Sequence, residues 1–147
     1  MTTLVVVRHA KSDWSGSHAD RDRPLAPRGR RQAAEAGRWL AAHGPALSLA
    51  VVSPAERARA TWGLVSAELA APPEVRVEEA AYTFDGSALH TLVAGVEASC
   101  FALVGHNPAV EELVLLLTGH ARPMPTSSLA VIDVDAGTLL AHGRPPS

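Results

Sequence analysis

Three short apolar runs dominate the sequence, at residues 3–7, 49–52 and 100–104, and each stops abruptly at a polar or charged group. Unbroken apolar runs of this length, rich in valine, suit strands buried on both faces of a sheet. The first ends in Arg8-His9, the second in Ser53-Pro54-Ala55-Glu56-Arg57, and the third in Gly105-His106-Asn107-Pro108. Between them lie helical patterns. Pro27 opens one over roughly residues 28–43, with Ala33, Gly37, Leu40 and Ala41 as its apolar face and Gly44-Pro45 as its stop. Ser53-Pro54 is expected to cap and start the next, along which Ala55, Ala58, Trp62, Val65 and Leu69 recur at spacings of three and four. A third begins near Ser87 and carries Leu89, Leu92, Val93 and Val96, and Pro108 opens a fourth through Leu117. Residues 75–77 form a further short strand, and residues 129–134 and 138–142 form a hairpin joined by Asp135-Ala136-Gly137.

Strands alternating with helices imply an α/β fold, a three-layer α/β/α sandwich. Its central sheet is expected to be mainly parallel, with the last hairpin as an antiparallel edge. At 147 residues the chain suits one domain, spanning 1–147. No apolar run approaches the ~20 residues of a membrane helix, and no basic segment precedes an apolar one at the start. Cys100 is the only cysteine, so no internal disulfide forms. These features lead us to expect a cytoplasmic protein with no membrane partner. A net charge of −2 argues against a nucleic-acid partner. Twelve arginines stand against one lysine, which codon bias in a GC-rich genome explains for surface positions. It does not explain an arginine placed where a strand ends.

In open α/β sheets, ligands bind outside the carboxyl ends of the strands. If the three apolar strands are parallel neighbours, Arg8, His9, Arg57 and His106 converge. Guanidinium forks match phosphate oxygens bidentately. Helix N-termini after Ser53 or Asn107 add backbone donors. Nearby arginines disfavour a further positive charge and so lower histidine pKa values. That keeps His9 neutral, as a nucleophile must be. Arginines also balance transition-state charge, so neither a metal nor another cofactor is required.

Several segments together resemble the histidine phosphatase superfamily, in its phosphoglycerate-mutase-like branch. They are Leu4-Val5-Val6-Val7-Arg8-His9-Ala10-Lys11-Ser12-Asp13-Trp14, Arg23-Pro24-Leu25-Ala26-Pro27-Arg28-Gly29, Ser53-Pro54-Ala55-Glu56-Arg57 and Val104-Gly105-His106-Asn107-Pro108. The short chain, and Ala10-Lys11-Ser12 after the Arg-His pair where mutases carry glycine, look most like the small bacterial phosphohistidine phosphatases. The resemblance implies a phosphoglycerate-mutase-like fold and a phosphorylated histidine at His9. It also implies a phosphate pocket of Arg8, Arg57 and His106, with Ser15 and Asn107 touching the phosphoryl group. The implied partner is a phosphorylated substrate, a phosphohistidine protein foremost, and a monomer is favoured. Larger relatives carry a glutamate proton donor where this chain has Thr83. Glu79 and Asp85 are the nearby candidates for a general acid. Three rivals stand beside this reading: a small-molecule phosphomonoesterase or mutase of the same superfamily, a silent phosphate- or phosphoprotein-binding module, and a histidine-metal hydrolase. The last lacks the HxH and HExxH spacings.

Overall fold

A computed structural model describes residues 1–146 of the chain. Its strands are β1 (Thr3–Arg8), β2 (Leu49–Val52), β3 (Glu74–Val77), β4 (Cys100–Gly105), β5 (Leu129–Asp133) and β6 (Thr138–Gly143). Its α-helices are α1 (Pro27–His43), α2 (Glu56–Ser66), α3 (Gly86–Ala94) and α4 (Ala109–Thr118). The strands form one sheet in the order β3-β2-β4-β1-β5-β6. β1 to β4 are mutually parallel, whereas β5 pairs antiparallel with both β1 and β6. The sheet is thus mostly parallel with an antiparallel edge pair, and the fold is the α/β/α sandwich expected from the alternation of elements.

The apolar runs sit where their composition demands. β1, β2 and β4 form the middle of the sheet and are almost wholly buried. Side chains that alternate along them feed two separate cores. On one face Val5, Val7, Ala50, Val52 and Val104 meet α1 and α2 through Ala33, Leu40, Ala58 and Trp62. On the other, Leu4, Val6, Val51, Phe101 and Leu103 meet α3 and α4 through Leu89, Val93, Leu113 and Val114. β3 is exposed along its length, as befits a short edge strand. Among the described residues, no helix is long and apolar enough to cross a membrane.

Three local expectations are corrected. Ala41 faces solvent, and the buried face of α1 runs through Gly29, Ala33, Ala36, Gly37 and Leu40. α2 ends at Ser66, so Leu69 packs beyond it, half-buried against the first core. Ser53 does not cap α2. The helix starts at Glu56 behind Ala55 with no side-chain cap; the Ser53 hydroxyl lies one turn short of it, accepting from Ala55 N–H at 3.3 Å and meeting a histidine described below.

One close approach ties helix to site. A Cβ on Gly29, in the first turn of α1, would stand 2.0 Å from the carbonyl oxygen of Lys11. Only glycine lets the helix touch the backbone that follows β1. That backbone is pinned again by Ala26, whose N–H donates to the same carbonyl at 2.9 Å.

Candidate active site

Parallel register sets the ends of β1, β4 and β2 side by side. Val7 lies opposite Val104, Arg8 opposite Gly105, and Val52 opposite Val104. The residues just beyond these ends share one cleft of about 290 Å³, whose lining includes Arg8, His9, Arg57, His106 and Asn107. The volume is near the lower bound for small-molecule sites.

His9 is held from every side. Its N–H donates to the carbonyl of Gly105 at 3.1 Å, and its own carbonyl accepts from Ser127 N–H at 3.1 Å. Its ring nitrogen Nδ1 lies 2.8 Å from the carbonyl oxygen of Ala10. A carbonyl only accepts, so Nδ1 carries the proton. The Nε–H of Arg57 points at Nε2 from 3.3 Å. A guanidinium only donates, so Nε2 carries a lone pair. Both neighbours therefore require the same tautomer.

Burial drops the pKa of His9 to about 3; the Ala10 carbonyl opposes the shift, while His106, Arg57 and Arg8 add to it. Desolvation is thus the main cause, and the arginines named from sequence contribute a smaller part. His106 lies with its ring centroid 5.1 Å from that of His9. It is pushed down to about 4, by burial first and then by Arg57, with Asp20 opposing. Its Nε2 is 2.7 Å from the hydroxyl of Ser53.

These shifts set a pH dependence. An unfolded histidine protonates near pH 6.5, whereas these two stay neutral in the fold until pH 3–4. Below pH 6.5 the unfolded chain therefore takes up protons that the folded chain refuses. The stability from both rings is complete above that pH and is lost as pH falls toward 4. The thermal midpoint should drop between pH 7 and pH 5. NMR titration should find the His9 and His106 rings still neutral at pH 5. A ring that protonates near pH 6.5 would refute its assignment as buried and neutral.

Arg57 is 2% exposed and spans the cleft. Its Nε–H meets His9, while its terminal nitrogens donate to the backbone oxygen of Asp20 at 2.6 Å and to its carboxylate at 3.0 Å. Arg8 donates from one terminal nitrogen to the carbonyl of Met124 at 3.0 Å. Asn107 donates to the same carbonyl at 2.9 Å. Arg8 Nε, His106 Nδ1 and Asn107 Oδ1 are buried with no protein partner. Such orphans ask for a ligand or water.

The other sequence candidates lie elsewhere. Ser15 is exposed, and its hydroxyl donates to Asp13 at 2.6 Å. Glu79 is exposed in a two-point ion pair with Arg21, which holds its carboxyl below the usual range. Asp85 caps α3, accepting from the backbone N–H of Ser87 at 2.9 Å. None of the three is among the residues lining the cleft.

Sequence reasoning missed Asp20, Arg23, Trp14 and Phe84, all of which line it. Arg23 donates to Asp20 at 2.8 Å and to the Ser12 hydroxyl, and its guanidinium lies 3.6 Å from the centroid of the Trp14 ring. The available signal was the charge-dense stretch 20–23 just before Pro24. Nothing in it said that the loop folds over the strand ends.

The family model of the histidine phosphatase superfamily (branch 1) matches residues 4–81, and the chain belongs to that superfamily. An uncharacterised protein of Mycobacterium tuberculosis is 36% identical over 144 aligned residues, covering 87% of each chain. The crystal structure of the protein assigned as phosphohistidine phosphatase SixA in Agrobacterium tumefaciens superposes with a TM-score of 0.88 at 26% identity, over 98% of both chains. A second protein so assigned, from Nakamurella multipartita, superposes at 0.81 with 28% identity, over 99% of this chain and 97% of that one.

Proposed function

We propose that the protein is a metal-independent phosphatase that works through a phosphohistidine on His9 and takes phosphohistidine on a protein as its substrate. The observation that carries this reading is the fixed tautomer of His9. A neutral imidazole presents its Nε2 lone pair beside Arg57, in a cleft where the Arg8 Nε–H has no protein acceptor and can donate to an anion.

The reaction is two in-line displacements. Nε2 of His9 attacks phosphorus, and oxygens of the phosphoryl group replace His9 as acceptors for Arg57. Arg8 Nε and His106 Nδ1 gain partners from the same group. Nδ1 keeps its proton on Ala10 throughout, so the new phosphoimidazolium charge sits beside a carbonyl dipole. Water then attacks phospho-His9 and releases phosphate. Covalent catalysis divides one hard step into two easier ones, and donors aimed at the phosphoryl oxygens stabilise the charge that shifts in each.

Substrate choice follows from the leaving group. An alkyl ester leaves as an alkoxide and needs a proton donor worth typically 10²–10⁴-fold. Glu79 is engaged with Arg21, and Asp85 with the start of α3. An imidazole that keeps a proton on its distal nitrogen leaves neutral and needs no acid on the leaving atom. Initial rates on a phosphohistidine protein, phosphoserine and phosphoglycerate should therefore favour the first by about 10²-fold or more in kcat/KM. A preference for either ester, lost on mutating Glu79 or Asp85, would overturn the assignment.

A further inference from the structure

A carboxylate stands inside this anion site. Asp20 opens the 3-10 turn Asp20–Asp22 and lines the cleft. Its Oδ1 accepts from Arg23 at 2.8 Å, and its Oδ2 accepts from Arg57 at 3.0 Å and from the Tyr82 hydroxyl. Tyr82, Arg23 and Arg57 hold the carboxyl far below its usual range, despite some opposing desolvation. It is therefore an anion at any working pH. Charged and titratable groups face it from the elements packed against it: Arg57 on α2, Tyr82 after β3, His106 after β4, and Arg23 just past its own turn, while Arg21 of that turn is directed to Glu79. The donors named leave one of its roughly four acceptor positions unused, and its side chain remains 45% exposed.

A negative group beside a phosphate pocket weakens phosphate binding unless the substrate brings something positive to meet it. Position indicates what that is. The guanidinium of Arg57 touches His9 Nε2 at one end and Asp20 at the other. A phosphoryl group lying along that guanidinium, attacked from the His9 end, directs its leaving group toward Asp20. A phosphohistidine leaving group carries an N–H on its second ring nitrogen when protonated; an alkyl ester carries no donor there.

We propose that Asp20 reads the leaving group: its carboxylate accepts the distal ring N–H of a phosphohistidine and holds that ring protonated while the P–N bond breaks. The inference rests on the phosphohistidine reading above. The transfer balances without moving a proton. The substrate's P–N bond breaks as a bond from phosphorus to His9 Nε2 forms. The freed electron pair stays on the leaving ring, which departs as neutral imidazole with its distal proton in place. His9 becomes the phosphoimidazolium, its Nδ1–H on Ala10 mirroring the distal N–H on Asp20. For an ester the same carboxylate faces an oxygen that is gaining negative charge. Asp20 thus selects for phosphoramidate and against ester.

Two probes test this. N-phosphoimidazole has the distal N–H when protonated. Its N-methyl analogue, 1-phospho-3-methylimidazolium, is permanently cationic and has no N–H to give. In Asp20→Asn the ratio of kcat/KM for phosphoimidazole to that for the methyl analogue should fall by about 10²-fold relative to wild type, the scale of a positioned proton-holding group. Equal losses on both probes would mean that Asp20 only props Arg57 and would overturn the proposal. A measurement on the wild type guards against a variant that fails to fold. Its kcat for phosphoimidazole should stay level above the pH at which the free probe loses its proton, and a fall at that pH also overturns the proposal. If the wild type instead prefers phosphoserine to both probes, the phosphohistidine reading fails, and this inference fails with it.

Discussion

Mixed with a labelled phosphoryl donor and quenched within milliseconds, the protein is expected to carry label on His9, stable in base and labile in acid. His9→Ala should abolish both the trapped label and turnover, the largest effect we expect from any single substitution. The alanine leaves the Ala10 carbonyl and the Arg57 Nε–H without their shared partner, so it is best paired with His9→Asn, which keeps a polar group in the gap. Both variants should be inactive, because neither offers a ring nitrogen to phosphorus. Label on a serine or aspartate would sink the mechanism. So would a His9→Ala enzyme that retains turnover.

The second large effect concerns the clamp. Arg57→Ala should lower kcat/KM by 10²–10³-fold, the range for loss of one charge-stabilising donor. Arg57→Lys should recover little, because an ammonium cannot span His9 and Asp20 as the planar fork does. Vanadate should inhibit the wild type and bind the Arg57 variants weakly. Arg59, two positions along α2, is the control. It is exposed and donates to the Pro54 carbonyl and to Glu56. Arg59→Ala should change kcat/KM less than about twofold, since surface substitutions away from special features cost little. Equal losses at the two positions would show that the clamp has been assigned to the wrong arginine.

The convergence of Arg8, His9, Arg57 and His106 was legible because it follows from chain order and period. Buried apolar runs announce parallel strands, and parallel strands present their ends together. The turn that brings Asp20 to the cleft was not legible. Residues 20–23 alternate in charge and carry no apolar anchor apart from the Pro24 and Leu25 that follow. Their path is fixed by long-range partners: Arg57 thirty-seven positions away and Tyr82 sixty-two away. The role of Ser53 was misread for a similar reason. A serine before a helix reads as a cap, yet this one lies a turn short of α2 and its hydroxyl meets a buried histidine that follows a distant strand. The dominance of burial over arginine charge at His9 was likewise hidden, since a sequence names neighbours and not depth.

The order of strands bears on how the chain becomes active in time. β4 lies between β1 and β2 in the sheet, though it is made long after both. The two earlier strands have no native contact edge with each other, and each must wait for Cys100–Gly105 to fill the gap. Pairings so distant in sequence close late, because the entropy of a long loop is lost before the contacts reward it. In the finished sheet the strand that delivers His106 lies between β1 and β2, so His9 and Arg57 meet across its end and not along a shared strand edge. Under the function proposed above, a chain still lacking β4 is short both of His106 and of the strand that sets the spacing between nucleophile and clamp.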